Sequence, residues 1–273
     1  MQRKKIMKIL IIIIGGFVVA NVGWYAFCGY AWSWGPFAKL HDIKTARHPG
    51  NSKKYNLDGV EAKQESVLKE KKIIFLGSSV TYGASSQGIS FVDFIRKQNG
   101  SEVVKEAVSG TTLVDEGNDS YIARLENINE DHADLFICQL STNDATQKKT
   151  LGTIGSSAEI EDFDTHTVAG AMEYIIAYVK EKWGCPVMFY TNPQYDSEEY
   201  ETMVKLLKDI QQKWDIGVID MWSDMAFNQI STEERDLYMA DSIHPTKAGY
   251  LEWWLPYMEN KIELYYESGQ EEL

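Results

Sequence analysis

The sequence predicts an α/β fold: a five-stranded parallel sheet with helices on both faces, preceded by an N-terminal membrane-spanning helix. Three observations predict it. Short apolar runs alternate with amphipathic stretches from Lys71 to Tyr266, the pattern of successive β-α units joined by right-handed crossovers. The first of them, Ile73 to Leu76, is continuously apolar, as a central parallel strand buried on both faces requires. Ile9 to Cys28 is a stretch of twenty residues without a charge, enough helix to cross the roughly 30 Å of a bilayer core.

The N-terminal stretch divides into a basic tail (1–8) and a signal-anchor helix (9–30). Arg3, Lys4, Lys5 and Lys8 precede the apolar run, and Trp24, Tyr25, Tyr30, Trp32, Trp34 and Phe37 follow as an aromatic belt. Positive charge on the N-terminal side places that end in the cytoplasm and the rest of the chain outside. The alternative is a secreted protein whose signal peptide is cleaved after Val18 and Ala20, but the run is longer than an ordinary signal core and ends in aromatics. Residues 31–70 read as a polar linker, with a short amphipathic helix over Asp58 to Glu70.

Ile73 to Leu76 is the first strand. It stops at Gly77, and Ser78, Ser79 and Thr81 fill the turn, where glycine lets the backbone change direction sharply. Ser90 to Gln98 carries Phe91, Phe94 and Ile95 at helical spacing and ends at Asn99-Gly100. A second strand, Val103 to Val108, ends at Ser109-Gly-Thr-Thr112, and Ser120 to Ile128 is helical. The third strand, Ala133 to Leu140, stops at Ser141-Thr-Asn-Asp144. Ala145 to Asp162 reads as a long loop of the kind that tends to be functional. Asp164 to Trp183 and Asp196 to Trp214 are helices flanking a fourth strand, Pro186 to Tyr190, and a fifth strand covers Ile216 to Met221. Thr246 to Tyr266 is the last helix, kinked or broken around Pro256, and 267–273 is an acidic, frayed tail. The domain thus spans 71–266.

Composition narrows the function. The chain has 273 residues, 44% of them hydrophobic, and a net charge of −13, enough for one large core. Without the four N-terminal basic residues the balance is 23 basic against 40 acidic, which repels phosphate backbones and excludes nucleic-acid binding. On this count the domain also offers no basic surface to anionic lipid. Cys28, Cys138 and Cys185 have neither paired spacing nor a C-x-x-C, so they read as packing residues.

Parallel strands bring their carboxyl ends to one edge, where ligands of open α/β sheets bind. That edge collects Ser79, Gly110 and Asn143. A serine hydroxyl needs an imidazole to accept its proton, and the imidazole needs a carboxylate to fix its tautomer. His41, His48, His132 and His166 lie in linker, loop or helix-start positions. His244 follows the last strand, three residues after Asp241 and directly before Pro245, which makes this a rigid loop. Oxyanion donors could come from the Ser79 N–H, the Gly110 N–H and the Asn143 amide. Each position also has a structural reading, as cap or turn.

Gly77-Ser-Ser-Val-Thr81, Val108-Ser-Gly-Thr-Thr112, Ser141-Thr-Asn-Asp144 and Asp241-Ser-Ile-His244 resemble, in order, the signature blocks of the SGNH or GDSL hydrolases. The resemblance covers about Lys71 to Trp254. It implies a flavodoxin-like three-layer α/β/α sandwich working without metal or cofactor. In that family's pattern Ser79 is the nucleophile, Gly110 and Asn143 are oxyanion donors, and Asp241 and His244 are the charge-relay pair. Two positions depart from the pattern: Ser78 stands where the family has Asp, and Ser141 where it has Gly. Both are expected to alter the site wall.

The reading that follows is an exported, membrane-anchored serine esterase. It would remove acyl groups, acetyl among them, from an envelope or extracellular carbohydrate or a lipid. Acyl transfer to a sugar hydroxyl would use the same acyl-enzyme. A flavodoxin-like phosphate- or anion-binding module leaves Asp241 and His244 without a role, and a metal-dependent hydrolase built on Asp241, His244 and Asp144 is short of ligands. Loops Tyr82 to Gly88, Ala145 to Asp162 and Thr191 to Asp196 are expected to shape the pocket.

Overall fold

A computed structural model describes residues 2–32, 35–37 and 39–271. Five strands form one sheet: β1 (Lys72–Gly77), β2 (Glu102–Ala107), β3 (Leu135–Gln139), β4 (Val187–Tyr190) and β5 (Gly217–Ile219). All pairings are parallel and the order is β2-β1-β3-β4-β5. The winding direction reverses between β1 and β3, so the crevice of a flavodoxin-like sheet opens at the end of β1.

The pleat sorts side chains between two cores. Ile74, Leu76, Phe136, Cys138 and Phe189 pack with α5 (Tyr121–Glu126), α7 (Val168–Lys182) and α8 (Glu198–Trp214). Ile73, Phe75, Leu135, Ile137, Met188 and Tyr190 pack with α4 (Phe91–Asn99) and α11 (Leu255–Glu271). Alternation with period two explains why the inner strands β1, β3 and β4 are apolar almost throughout, each face having its own helices to cover, while edge strand β2 carries Glu102, Lys105 and Glu106 and buries none of its residues fully. Phe91 is the hub of the second core, edge-on to Tyr190 at 5.2 Å between ring centroids.

Several expectations are corrected. No helix forms over Asp58 to Glu70; single 3-10 turns at Leu57–Gly59 and before it give way to irregular chain. Of the two readings at Pro256, the helix is not broken: a π turn over Gly249–Trp254 runs on into α11, an irregularity of the kind that accompanies a proline within a continuous helix. The acidic tail is helical through Glu271. The Ala145 to Asp162 stretch begins inside a short helix, α6 (Thr142–Thr146). Its later part packs along α7 and α8: buried Glu173 accepts from the Gly155 N–H at 3.0 Å, and Lys213 donates to Gly155 O at 2.9 Å and pairs with Glu173. Short helices also form at α3 (Ser79–Tyr82), α9 (Met225–Asn228) and α10 (Thr232–Tyr238).

At the N-terminus, α1 (Gln2–Trp32) contains Ile12–Tyr30, long and apolar enough to cross a membrane and largely exposed. Trp34 of the aromatic belt lies outside the described residues. The linker lies along the domain: α2 (Lys39–Thr45) and 3-10 turns at Pro49–Asn51 and Lys53–Tyr55 dock on it, with Gly50, Asn51 and Tyr55 buried.

Candidate active site

The end of β1 is built for a sharp turn. A Cβ on Gly77 would collide with the Thr81 side chain, so only glycine fits before the serines. The next two residues face opposite ways. Ser78 is fully buried; its N–H and hydroxyl both meet Gln139 Oε1, at 2.9 and 3.3 Å. Thr81 Oγ1 donates to the same oxygen at 2.9 Å and also meets Tyr190 OH. Ser79 starts α3 and turns outward, its Oγ 2.8 Å from His244 Nε2. Gly83, left-handed at φ 89°, closes the turn. From the other core, Tyr250 OH donates to Val80 O at 2.6 Å.

His244 stands on a self-contained loop. A Met239–Pro245 bridge and the Ala240 N–H to His244 O bond close it. His244 Nδ1 lies 2.9 Å from Asp241 Oδ2, and Asp241 Oδ1 accepts from the Ile243 and His244 amides at 2.8 Å each. An ionised carboxylate can only accept, so the ring proton sits on Nδ1 and Nε2 is the acceptor for Ser79. Desolvation within the loop opposes ionisation of Asp241, whose side chain is still half exposed, but the imidazole and the two amides hold its carboxyl down to about 2. Asn192 Nδ2 donates to Ile243 O at 3.0 Å and so ties the loop to the end of β4.

Gly110 and Asn143 come from the two neighbouring strand ends. Gly110 is exposed at φ 86°, and a Cβ there would meet nothing. The left-handed conformation, rather than close approach, is what calls for glycine. Asn143 Nδ2 donates one bond to Thr111 O at 2.9 Å, and a primary amide carries a second N–H. Buried Asp144 accepts from the Leu113 and Val114 amides at 2.8 and 3.1 Å, while burial raises its pKa. Both its oxygens are thus committed to backbone. Among the described residues no group of three or more His, Cys, Asp or Glu could hold a metal ion.

The sequence singled out Ser79, Gly110, Asn143, Asp241 and His244, and the structure brings Ser79, His244 and Asp241 into one hydrogen-bonded series. The two departures from the expected blocks face inward instead of lining the site wall. Ser78 is occupied by Gln139, and buried Ser141 caps α6 by accepting from the Asn143 amide at 3.2 Å. Sequence reasoning missed Gln139 and Arg124. Buried Arg124 donates to Gly77 O at 2.9 Å, Thr111 Oγ1 at 3.0 Å and Glu106 O at 3.0 Å, bracing the ends of β1 and β2 together. The available signal for Gln139 was an amide at the last position of an otherwise apolar strand. His41 and His48 contact backbone groups, Tyr30 O and the Gly50 N–H, and His166 contacts Asp115 O.

Residues 75–251 match the model of the GDSL-like lipase/acylhydrolase family. No match is found among curated proteins. Among solved structures, the chain is similar to a Lactobacillus plantarum protein at 16% identity and a TM-score of 0.60, covering 73% of this chain and 98% of that one. It is also similar to a Bacteroides ovatus protein titled as a GDSL-like lipase, at 18% identity and a TM-score of 0.53, covering 73% and 99%. A family two carbohydrate esterase from Clostridium thermocellum, solved with cellohexaose, matches at 14% identity and a TM-score of 0.50, covering 73% and 67%.

Proposed function

The chain belongs to the GDSL-like lipase/acylhydrolase family, and on that premise we propose that it is a membrane-anchored serine esterase. It acts outside the cell, removing acyl groups, acetyl among them, from a carbohydrate or lipid. The observation that carries this reading is the 2.8 Å approach of Ser79 Oγ to His244 Nε2, with Asp241 behind the ring.

In this mechanism Ser79 Oγ attacks the ester carbonyl as its proton passes to His244 Nε2. Asp241 stabilises the resulting imidazolium without taking the proton. The tetrahedral oxyanion accepts from the Ser79 and Gly110 N–H groups and the Asn143 amide. Collapse expels the alcohol, which takes the proton from His244 and leaves an acyl-Ser79. Water, deprotonated by His244, then attacks the acyl carbon, and the carboxylic acid and free serine are restored. No metal or cofactor takes part.

A carbohydrate ester fits the similarity to the carbohydrate esterase, and the Ile12–Tyr30 span supports anchoring through residues 9–30; the basic residues ahead of the span are the ground for putting the N-terminus in the cytoplasm and the 71–266 domain outside. The test is hydrolysis of a short-chain aryl ester by the protein and by Ser79→Ala. The variant should retain less than about 0.1% of the rate, since loss of a triad nucleophile costs on the order of 10⁴-fold or more. Equal rates would remove Ser79 from the mechanism.

A further inference from the structure

The segment that leaves the apolar helix does not lead to a remote corner of the domain; it docks on the loops beside Ser79 and His244. His41 Nδ1 meets Tyr30 O at 3.2 Å, joining α2 to the end of the apolar span. One helical turn later, Thr45 O accepts from Asn51 Nδ2 at 2.8 Å, and the same Nδ2 reaches Ser85 O at 2.7 Å. Ser85 lies six residues after Ser79 in sequence. Three hydrogen bonds and one turn of helix, about 5.4 Å, therefore connect the span to the loop that follows the nucleophile turn, whatever the tilt of α1.

The His244 side is fastened to the same segment. Asn51 Oδ1 accepts the Lys247 N–H at 2.9 Å. Buried Lys247 extends its ammonium to Asn56 Oδ1 at 2.7 Å and Gln87 Oε1 at 2.6 Å, a cation held by two neutral amides whose burial lowers its pKa. A Cβ on Gly50 would collide with Leu237 O and the Thr246 hydroxyl. One short strap thus bolts the Ser85–Gln87 loop to the His244 loop.

Charge supplies an independent observation. Lys39, Lys44, Arg47, Lys53 and Lys54 are all exposed, and Asp42 is the single acidic residue between 39 and 54. Beyond residue 54 the chain has 18 basic against 39 acidic residues. The basic surface that whole-domain charge concealed is concentrated in the strap. A lysine or arginine near an anionic bilayer contributes about 1 kcal/mol to attraction. Ile43 on α2 is an exposed apolar side chain within the strap itself, and Tyr82 on the nucleophile turn is also exposed.

Resting on the membrane-anchor reading above, we propose that the strap seats the Ser79 edge of the sheet against the bilayer surface, so that the substrate is an acyl ester carried on a membrane lipid. The acyl group then comes to Ser79 at headgroup level. A dissolved polymer would have to enter a narrow space between the domain and the membrane.

The experiment uses full-length protein in phosphatidylcholine/phosphatidylglycerol vesicles with two substrates. One is an acetyl ester of a fluorescent alcohol bearing a dialkyl tail, inserted in the same vesicles; the other is the same ester without the tail, in solution. Protein carrying a Gly/Ser spacer of about 20 residues between Ala46 and Arg47, roughly 25 Å of added reach, is compared with wild type. The spacer should cut the rate on the tailed ester roughly tenfold, through lost effective concentration and orientation, and leave the untailed ester unchanged. Equal loss on both esters, or no loss on the tailed one, overturns the proposal. So does wild-type preference for the untailed ester. Failure of the underlying reading looks different: Ser79→Ala would keep both rates, or wild type would wash from the vesicles in salt. The first removes the serine mechanism and leaves the tail comparison standing; the second removes the anchor and this proposal with it.

Discussion

Gln139 Oε1 lies 2.9 Å from the Ser78 amide nitrogen, so a side chain at the end of β3 holds the backbone on which Ser79 turns out from β1. Replacing it by methionine keeps the volume and removes the acceptor. A buried amide left unpaired costs about 1–3 kcal/mol. Gln139→Met should lose about that much stability in urea unfolding. Its kcat should fall with KM little changed, because the turn that aims Ser79 is loosened. Unchanged kcat in a destabilised protein would make Gln139 a structural residue only.

The adjacent serines should separate cleanly. Ser79→Ala should abolish fluorophosphonate labelling, while Ser78→Ala keeps the labelled serine and loses less than roughly tenfold in kcat, since its hydroxyl shares an acceptor already taken by two other donors. Peptide mapping of the labelled protein checks it, and a label on Ser78 would reverse the assignment.

The Asp241 carboxyl sits near 2, below the ordinary 3.8. A carboxylate depressed by folding stabilises the fold above its unfolded value, and that contribution disappears as pH falls through the folded one. Asp241 therefore stays ionised across the range in which activity is measured. The acid limb of kcat/KM should carry no ionisation of Asp241. Asp241→Asn should lower kcat by roughly 10³- to 10⁴-fold, by favouring the wrong ring tautomer. A carboxylate-like ionisation limiting the profile above pH 3.8 would contradict this.

Arg124 bridges the carbonyls of Gly77 and Glu106 and the Thr111 hydroxyl. Arg124→Met should cost about 3 kcal/mol in unfolding, as expected when a buried charged hydrogen-bond network loses its donor. It should also raise the ratio of labelling rate to turnover, because serine reactivity is kept while the Gly110 strand end shifts. Wild-type values for both would show the bracing to be redundant.

The inner strands were legible because burial on both faces writes itself as apolar runs, and edge strand β2 because Val103 and Val104 lie between a helix end and the Ser109–Thr112 turn; all five lie within about two residues of where the sequence places them. The Asp241–His244 pair was legible because three residues of spacing contain it. Gln139 and Arg124 were not, since their partners lie in other elements and nothing local separates them from a tolerated polar residue. Arg124 sits off the Ile122–Leu125–Ile128 stripe and so reads as solvent-facing. The strap escaped for a related reason: single 3-10 turns have no period, and their order comes from the loops they touch.

The Met239–Pro245 closure makes imidazole, carboxylate and both backbone amides one rigid piece, independent of the sheet. The alignment of Ser79 with its base then has few degrees of freedom, namely the seating of one prefabricated hairpin on one turn. Such a site should lose activity as a latch does, by unseating of the whole hairpin at Asn192 and Asn51, with its internal geometry preserved to the end.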